Sequence, residues 1–122
     1  MRTFYADNLP KSLSNPIALA FNALVSSPGT RGPILHKRGG DLCILEAARD
    51  PQEELTITDV LRELSQRKEP MPVIVIWRGG EEAKKEMIEG FNQGPMKVRV
   101  VEPLLTAIKT ATEELLGVRA LM

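Results

Sequence analysis

Cysteine and histidine are almost missing from this chain. The single cysteine, Cys43, excludes an internal disulfide and a cysteine metal cluster. Nothing therefore requires an oxidising compartment, and the cytoplasm is the expected setting. The single histidine, His36, has no second histidine, cysteine or serine at a recognisable spacing, so it is read as neither ligand nor catalyst. Charge of one sign is also lacking. Sixteen basic and sixteen acidic residues cancel, which removes the basic field of a dedicated nucleic-acid binder, and no direct nucleic-acid contact is expected. No apolar run reaches the ~18 residues that span a bilayer, so no membrane partner is expected. The opening "MRTFYADNLP" has no signal-peptide apolar core. Internal repeats and low-complexity tracts are absent. With 122 residues the chain suits one domain, expected over 1–117, with 118–122 as a tail or the start of a linker.

What is present is an alternation of apolar runs and amphipathic stretches. "TFYA", residues 3–6, reads as a first strand. Pro16 reads as a first-turn proline capped by Ser14 or Asn15, and Ile17, Phe21, Leu24 and Val25 extend a helix to Ser26 or Ser27. "ILHKRGGDLCILEA" is ambiguous: a hairpin through "KRGGD", or a short parallel strand Ile34–His36 before a second one at Leu42–Leu45. Thr56 and Asp59 are spaced as a capping box for a helix with Ile57, Val60, Leu61 and Leu64 on one face, ended by Glu69 and Pro70. "PVIVIW", residues 72–77, has no alternation, as expected for a strand covered on both faces. A helix after "RGGEE" groups Ala83, Met87, Ile88 and Phe91. "VRVV", residues 98–101, is a last strand, and a final helix carries Leu104, Leu105, Ile108, Ala111, Leu115 and Leu116 toward the core. This order predicts an α/β sandwich with a mainly parallel sheet. Functional groups then collect at the carboxyl ends of the strands, where Asp7, Asn8, Glu46, Trp77, Arg78 and Glu102 fall.

Those residues carry a resemblance to the response-regulator receiver domain, the CheY-like, flavodoxin-like fold. "FYADN" stands where receivers carry an acidic pair. "DLCILE" matches a leading aspartate, four apolar residues and the phospho-acceptor, so Glu46 takes the acceptor position. "PVIVIW" puts Trp77 where a receiver has Thr or Ser. Glu102 and Pro103 replace Lys-Pro, and Arg99 takes the place of the switch aromatic. The resemblance implies a five-stranded sheet in the order 2-1-3-4-5. Because the interval before Glu46 is short, the second helix is expected to be shortened or missing. It also implies a degenerate site, a pseudo-receiver. Receiver chemistry needs an aspartate nucleophile, Mg²⁺ on the acidic pair, a hydroxyl and a lysine. Here the carboxylate is one methylene longer, an indole fills the place of the hydroxyl, and Glu102 opposes a dianionic phosphoryl group.

The resulting expectation is a non-enzymatic signalling module without a cofactor, in which Asp7, Asn8, Glu46, Trp77, Arg78 and Glu102 mark a vestigial phospho-acceptor site. Glu46 is either a partial mimic of a phosphorylated aspartate or a residue at a dead site. Arg78 is its favoured partner. Asp7 and Glu46 are weak metal candidates, and the three carboxylates Asp7, Glu46 and Glu102 need a nearby cation if they crowd. Trp77 is either core filler or a partner anchor. By the same resemblance, partner contact falls on the last two helices and last strand, through Lys84, Lys85, Glu89, Lys97, Arg99, Lys109 and Glu113. The partner is another protein, a fused output domain or a second copy. The alternative is a small flavodoxin-like enzyme or ligand-binding protein with an acidic divalent-metal site at the strand ends.

Overall fold

Successive residues of a strand point to opposite faces, and the central strands here are apolar on both. The computed structural model describes residues 1–7, 9–26, 40–47 and 57–121. In it β1 (Arg2–Ala6), β2 (Ala23–Ser26), β3 (Leu42–Glu46), β4 (Val73–Ile76) and β5 (Val98–Val101) form one parallel sheet in the order β2-β1-β3-β4-β5. All four residues of β4 are buried. On one face Phe4, Leu42, Ile44, Ile74 and Ile76 pack under α1 (Lys11–Phe21) and α4 (Leu105–Leu116), against Ile17, Phe21 and Ile108. On the other, Cys43, Leu45, Val73, Val75 and Val98 pack under α2 (Ile57–Ser65) and α3 (Glu82–Glu89), against Val60, Leu61, Leu64 and Ile88.

The first crossover departs from the expectation read from periodicity. The helix starts at Lys11, behind an extended Pro10, rather than at a Ser14 or Asn15 cap, and it ends at Phe21 rather than Ser26 or Ser27. Pro16 lies inside the helix, where its missing N–H leaves the Ser12 carbonyl without the usual i→i−4 donor. Asn22 takes a left-handed conformation, φ 49°, and its N–H donates to the Ala18 and Leu19 carbonyls. That cap stops the helix and turns the chain directly into β2, which pairs with β1 from Arg2↔Ala23 to Tyr5↔Ser26. The second strand is therefore 23–26. Ile34–His36 and the interval assigned to a shortened or missing second helix lie outside the described residues.

Other differences follow local geometry. Thr56, the expected cap, lies outside the described residues, and α2 stops at Ser65, before Glu69. α3 touches the sheet along one narrow ridge. Ile88 is buried and Phe91 half-buried on the same layer, whereas Ala83 and Met87 are exposed. Leu104 is 51% exposed because it is the extended residue before α4, φ −123° and ψ 137°, and so stands off the helical stripe. Beyond Gly117, Val118 and Ala120 pack against the α1/α4 layer, and the Leu121 N–H donates to the Ala20 carbonyl at 2.7 Å.

Two details fix strand positions. Asp41 sets the entry to β3: its N–H donates to the Thr3 carbonyl at 2.8 Å, and its Oδ2 accepts the Thr3 N–H at 2.8 Å. Gly40 lies against the Tyr5 ring, and a Cβ there would come within 2.6 Å of Tyr5 Cε2, at a φ of 155°. Gly40→Ala is therefore expected to destabilise the fold by about 1–3 kcal/mol in urea titrations, through overpacking against the β1 side chain. At the far edge, the Val73 and Trp77 N–H groups donate to the Lys97 and Val101 carbonyls, both at 2.8 Å, so Val98 and Val100 turn their backbone groups outward. Asn92 Oδ1 accepts the Val98 N–H at 3.1 Å, and Arg99 Nη1 donates to the Val98 carbonyl at 3.2 Å.

Candidate functional site at the strand carboxyl ends

Because β1, β3, β4 and β5 are parallel neighbours, the residues that follow them emerge on one rim. The Asp7 N–H donates to the Ile44 carbonyl at 3.0 Å, Ala47 N–H to Ile76 at 3.0 Å and Trp77 N–H to Val101 at 2.8 Å. Glu46, Ile76 and Val101 stand level in the register. Asp7 is 9% exposed and Glu46 half-buried, while Glu102 is exposed. Asn8 lies outside the described residues.

The Glu46 side chain does not stand open at the tip of β3. Arg78, on the loop after β4, donates its Nε–H to Glu46 Oε1 at 2.5 Å. Their side chains are only 29% and 24% exposed. A charge-assisted bond covered to that extent contributes about 1.5–3 kcal/mol, more than the ~0–1 of an open surface pair. It also ties the end of β3 to the β4–α3 loop. Gly79 and Gly80 follow at φ 100° and 138°, a path that side-chain-bearing residues rarely adopt.

Trp77 shares the strand parity of Val73 and Val75, so its indole lies over the α2/α3 layer, half-buried. A Cβ on Gly80 would sit 3.4 Å from its Cζ2, which places the ring edge along the loop. Glu102 is displaced from Glu46 by two strand spacings, about 10 Å, and takes part in no ion pair among the described residues. A divalent ion of the kind the acidic rim suggested does not fit what is described. Glu46 is engaged by Arg78, and among the described residues no three acidic, histidine or cysteine side chains gather. Cys43 lies within β3, fully buried. Burial pushes its thiol up to about 12, with Arg67 acting in the opposite sense and Asp7 adding to the rise, so it is no nucleophile at neutral pH.

The residues of the expected contact face lie on three neighbouring elements. On α3, Lys84 Nζ is 4.0 Å from Glu81 Oε2, Lys85 is half-buried and Glu89 exposed. On the β5 side, Lys97 is exposed and Arg99 Nε is 3.7 Å from Glu114 Oε2. On α4, Lys109 and Glu113 are half-buried. Sequence reasoning missed the open groove of about 700 Å³ between the β4–α3 and β5–α4 loops. Trp77, Arg78 and Lys85 line one side, and Val100 to Leu104 the other. Strand-end logic identified Trp77, Arg78 and Glu102 singly. The groove itself arises from how two loops diverge, which periodicity does not report.

No protein-family model matches the sequence, and no curated protein matches it. Solved structures do. The chain is similar to a CheY-like response regulator receiver domain protein from Methanospirillum hungatei JF-1, with a TM-score of 0.58 at 16% identity over 93% of this chain and 94% of that one. It is likewise similar to the phosphorylated cyanobacterial phytochrome response regulator RcpA, with a TM-score of 0.61 at 13% identity over 99% of both chains. Identities this low speak to architecture alone. The parallel 2-1-3-4-5 sheet and its two helical layers, aligned over nearly the whole chain, give this protein the flavodoxin-like fold of the response-regulator receiver domain.

Proposed function

We propose that this chain is a pseudo-receiver: a signalling module that works by protein–protein contact and does not pass through phosphoryl transfer. The observation that carries this reading is the Glu46–Arg78 pair. By the resemblance read from the sequence Glu46 stands at the acceptor position, and its carboxylate is already engaged by Arg78. The supporting residues agree with it. Trp77, at the position of the receiver hydroxyl, is turned into the α2/α3 layer, and Glu102, at the position of the lysine, presents an anion where phosphoryl oxygens need a donor. A module of this kind acts in the cytoplasm, against a protein partner, a fused output domain or a second copy. Contact falls on the face formed by α3, β5 and α4, where Lys84, Lys85, Glu89, Lys97, Arg99, Lys109 and Glu113 lie.

Backbone amide NMR tests the chemistry. With beryllofluoride or acetyl phosphate and excess Mg²⁺, the amides of Asp7, Glu46, Trp77 and Glu102 are expected to stay in place. Large Mg²⁺-dependent shifts centred on Glu46 would overturn the reading.

A further inference from the structure

We propose that residues 118–121 form a detachable strap that couples the segment after α4 to the first crossover. Docked, the strap completes the C-terminal end of α1; lifted, it loosens that end together with β2. The inference goes beyond the pseudo-receiver reading and uses none of its site residues. It begins with the carbonyls of the last turn of α1, Ala18 to Phe21, which have no partner within the helix. The Asn22 N–H serves Ala18 and Leu19. Arg2 Nη1 donates to the Phe21 carbonyl at 3.0 Å, and the Arg2 N–H to the Asn22 carbonyl at 3.2 Å. The remaining carbonyl, Ala20, accepts the Leu121 N–H at 2.7 Å. Ala20 is 1% exposed, so when the strap leaves, this carbonyl loses a partner that the helix itself cannot replace.

The hold on the strap is slight. Gly117 takes a left-handed conformation, φ 66°, that ends α4 and turns the chain. Beyond it burial alternates: Val118 and Ala120 are half-buried against the α1/α4 layer, while Arg119 and Leu121 are exposed, Leu121 to 75%. One hydrogen bond and two small apolar side chains are thus set against the entropy of ordering the segment, terms of similar size. A segment so balanced opens more readily than the sheet beneath it. Its effect is carried by adjacency. Asn22 joins α1 to β2 with no intervening loop, and β2 is an edge strand that pairs, among the described strands, with β1 alone. A frayed last turn of α1 therefore loosens the register of β2, whereas β4 stays paired on both sides by β3 and β5.

Amide hydrogen exchange on the full chain, followed by NMR, tests the coupling. Leu121→Pro removes the N–H that Ala20 accepts, Leu121→Ala keeps it, and Val118→Asp puts a charge on the half-buried side of the strap. Leu121→Pro and Val118→Asp are each expected to speed exchange of the Phe21, Asn22 and β2 amides about tenfold or more, with the β4 amides within about twofold of their original rates. Leu121→Ala is expected to stay within about threefold throughout. Coupling between two sites is reciprocal, so Arg2→Ala, which strips the donor from Phe21, is expected to speed exchange of the Leu121 amide about threefold or more. Four results would each overturn the inference: unchanged protection of Asn22 and β2 in both strap variants, a rise spread equally over β4, Leu121→Ala matching Leu121→Pro, or an unmoved Leu121 amide in Arg2→Ala.

Discussion

Phe4→Ala is expected to lower the unfolding free energy by about 3–5 kcal/mol. Phe4 is fully buried in β1, the strand between β2 and β3, and its ring stands 6.2 Å from that of Phe21 at 50°. The two rings join the sheet to the end of α1. Truncation removes the transfer energy of the ring and leaves a cavity that β1, hydrogen-bonded on both sides, is poorly placed to close. Against a total stability of about 5–15 kcal/mol for a domain, that loss brings the protein near its threshold. Urea titration by circular dichroism measures it. Leu24→Ala is the matched control: Leu24 is 58% exposed, and the change is expected to cost under about 1 kcal/mol. A Phe4→Ala loss as small as the control would mean that the α1/α4 layer repacks freely and is not the rigid support described above.

The second large effect is alkaline. The Cys43 thiol, with an ordinary value of 9.0, is raised to about 12 by burial. Below pH 9 the thiol is protonated in both folded and unfolded chains and contributes no pH dependence. Between 9 and 12 the unfolded chain loses this proton while the folded one keeps it. The folded state then binds more protons, and stability falls as pH rises, with a limiting slope of about 1.4 kcal/mol per pH unit from this group. The informative quantity is the difference in slope from Cys43→Ala. That variant is expected to start less stable, because it leaves a small gap beneath α2, and to lose stability less steeply above pH 9. Parallel slopes would show that Cys43 ionises in place. At pH 8 the native thiol is expected to resist Ellman's reagent and to react once the chain is unfolded in urea.

How far the sequence anticipated this molecule depends on which signal each element carried. β4 announced itself through five successive apolar residues, 73–77, and β3 through "LCIL", because strands covered on both faces leave nothing else to read. The end of α1 was hidden for the opposite reason. Leu24 and Val25 continue a helical spacing from Ile17 and Phe21, yet they belong to β2, because one residue in the left-handed region, Asn22, breaks the helix. Asparagine is the residue other than glycine that most readily does this, so the cue existed in one side chain and was outweighed by four apolar ones. Pro16 misled in a similar way: its place in a first turn is common, but Pro10 already marked the true start. At the site, the strand-end rule located Glu46, Trp77 and Glu102, and adjacency suggested Arg78 as the ion-pair partner that the structure shows. The distance that keeps Glu102 apart from Glu46 follows from sheet order, which the receiver resemblance implied and residue spacing alone does not give. The half-burial of Lys85 was not legible in one dimension, because it depends on α3 lying beside β5.

The Asn92 and Arg99 contacts on the margin of β5 have a bearing on assembly. A bare outer margin invites another chain to lengthen the sheet, by peptide groups that match any sequence. Here Val98 has both of its backbone groups already occupied, and a cationic residue stands on either side of it, at 97 and 99. A chain that settles on this flank therefore meets a template interrupted at Val98 and bordered by positive charge, so side chains as well as peptide groups take part in selecting it.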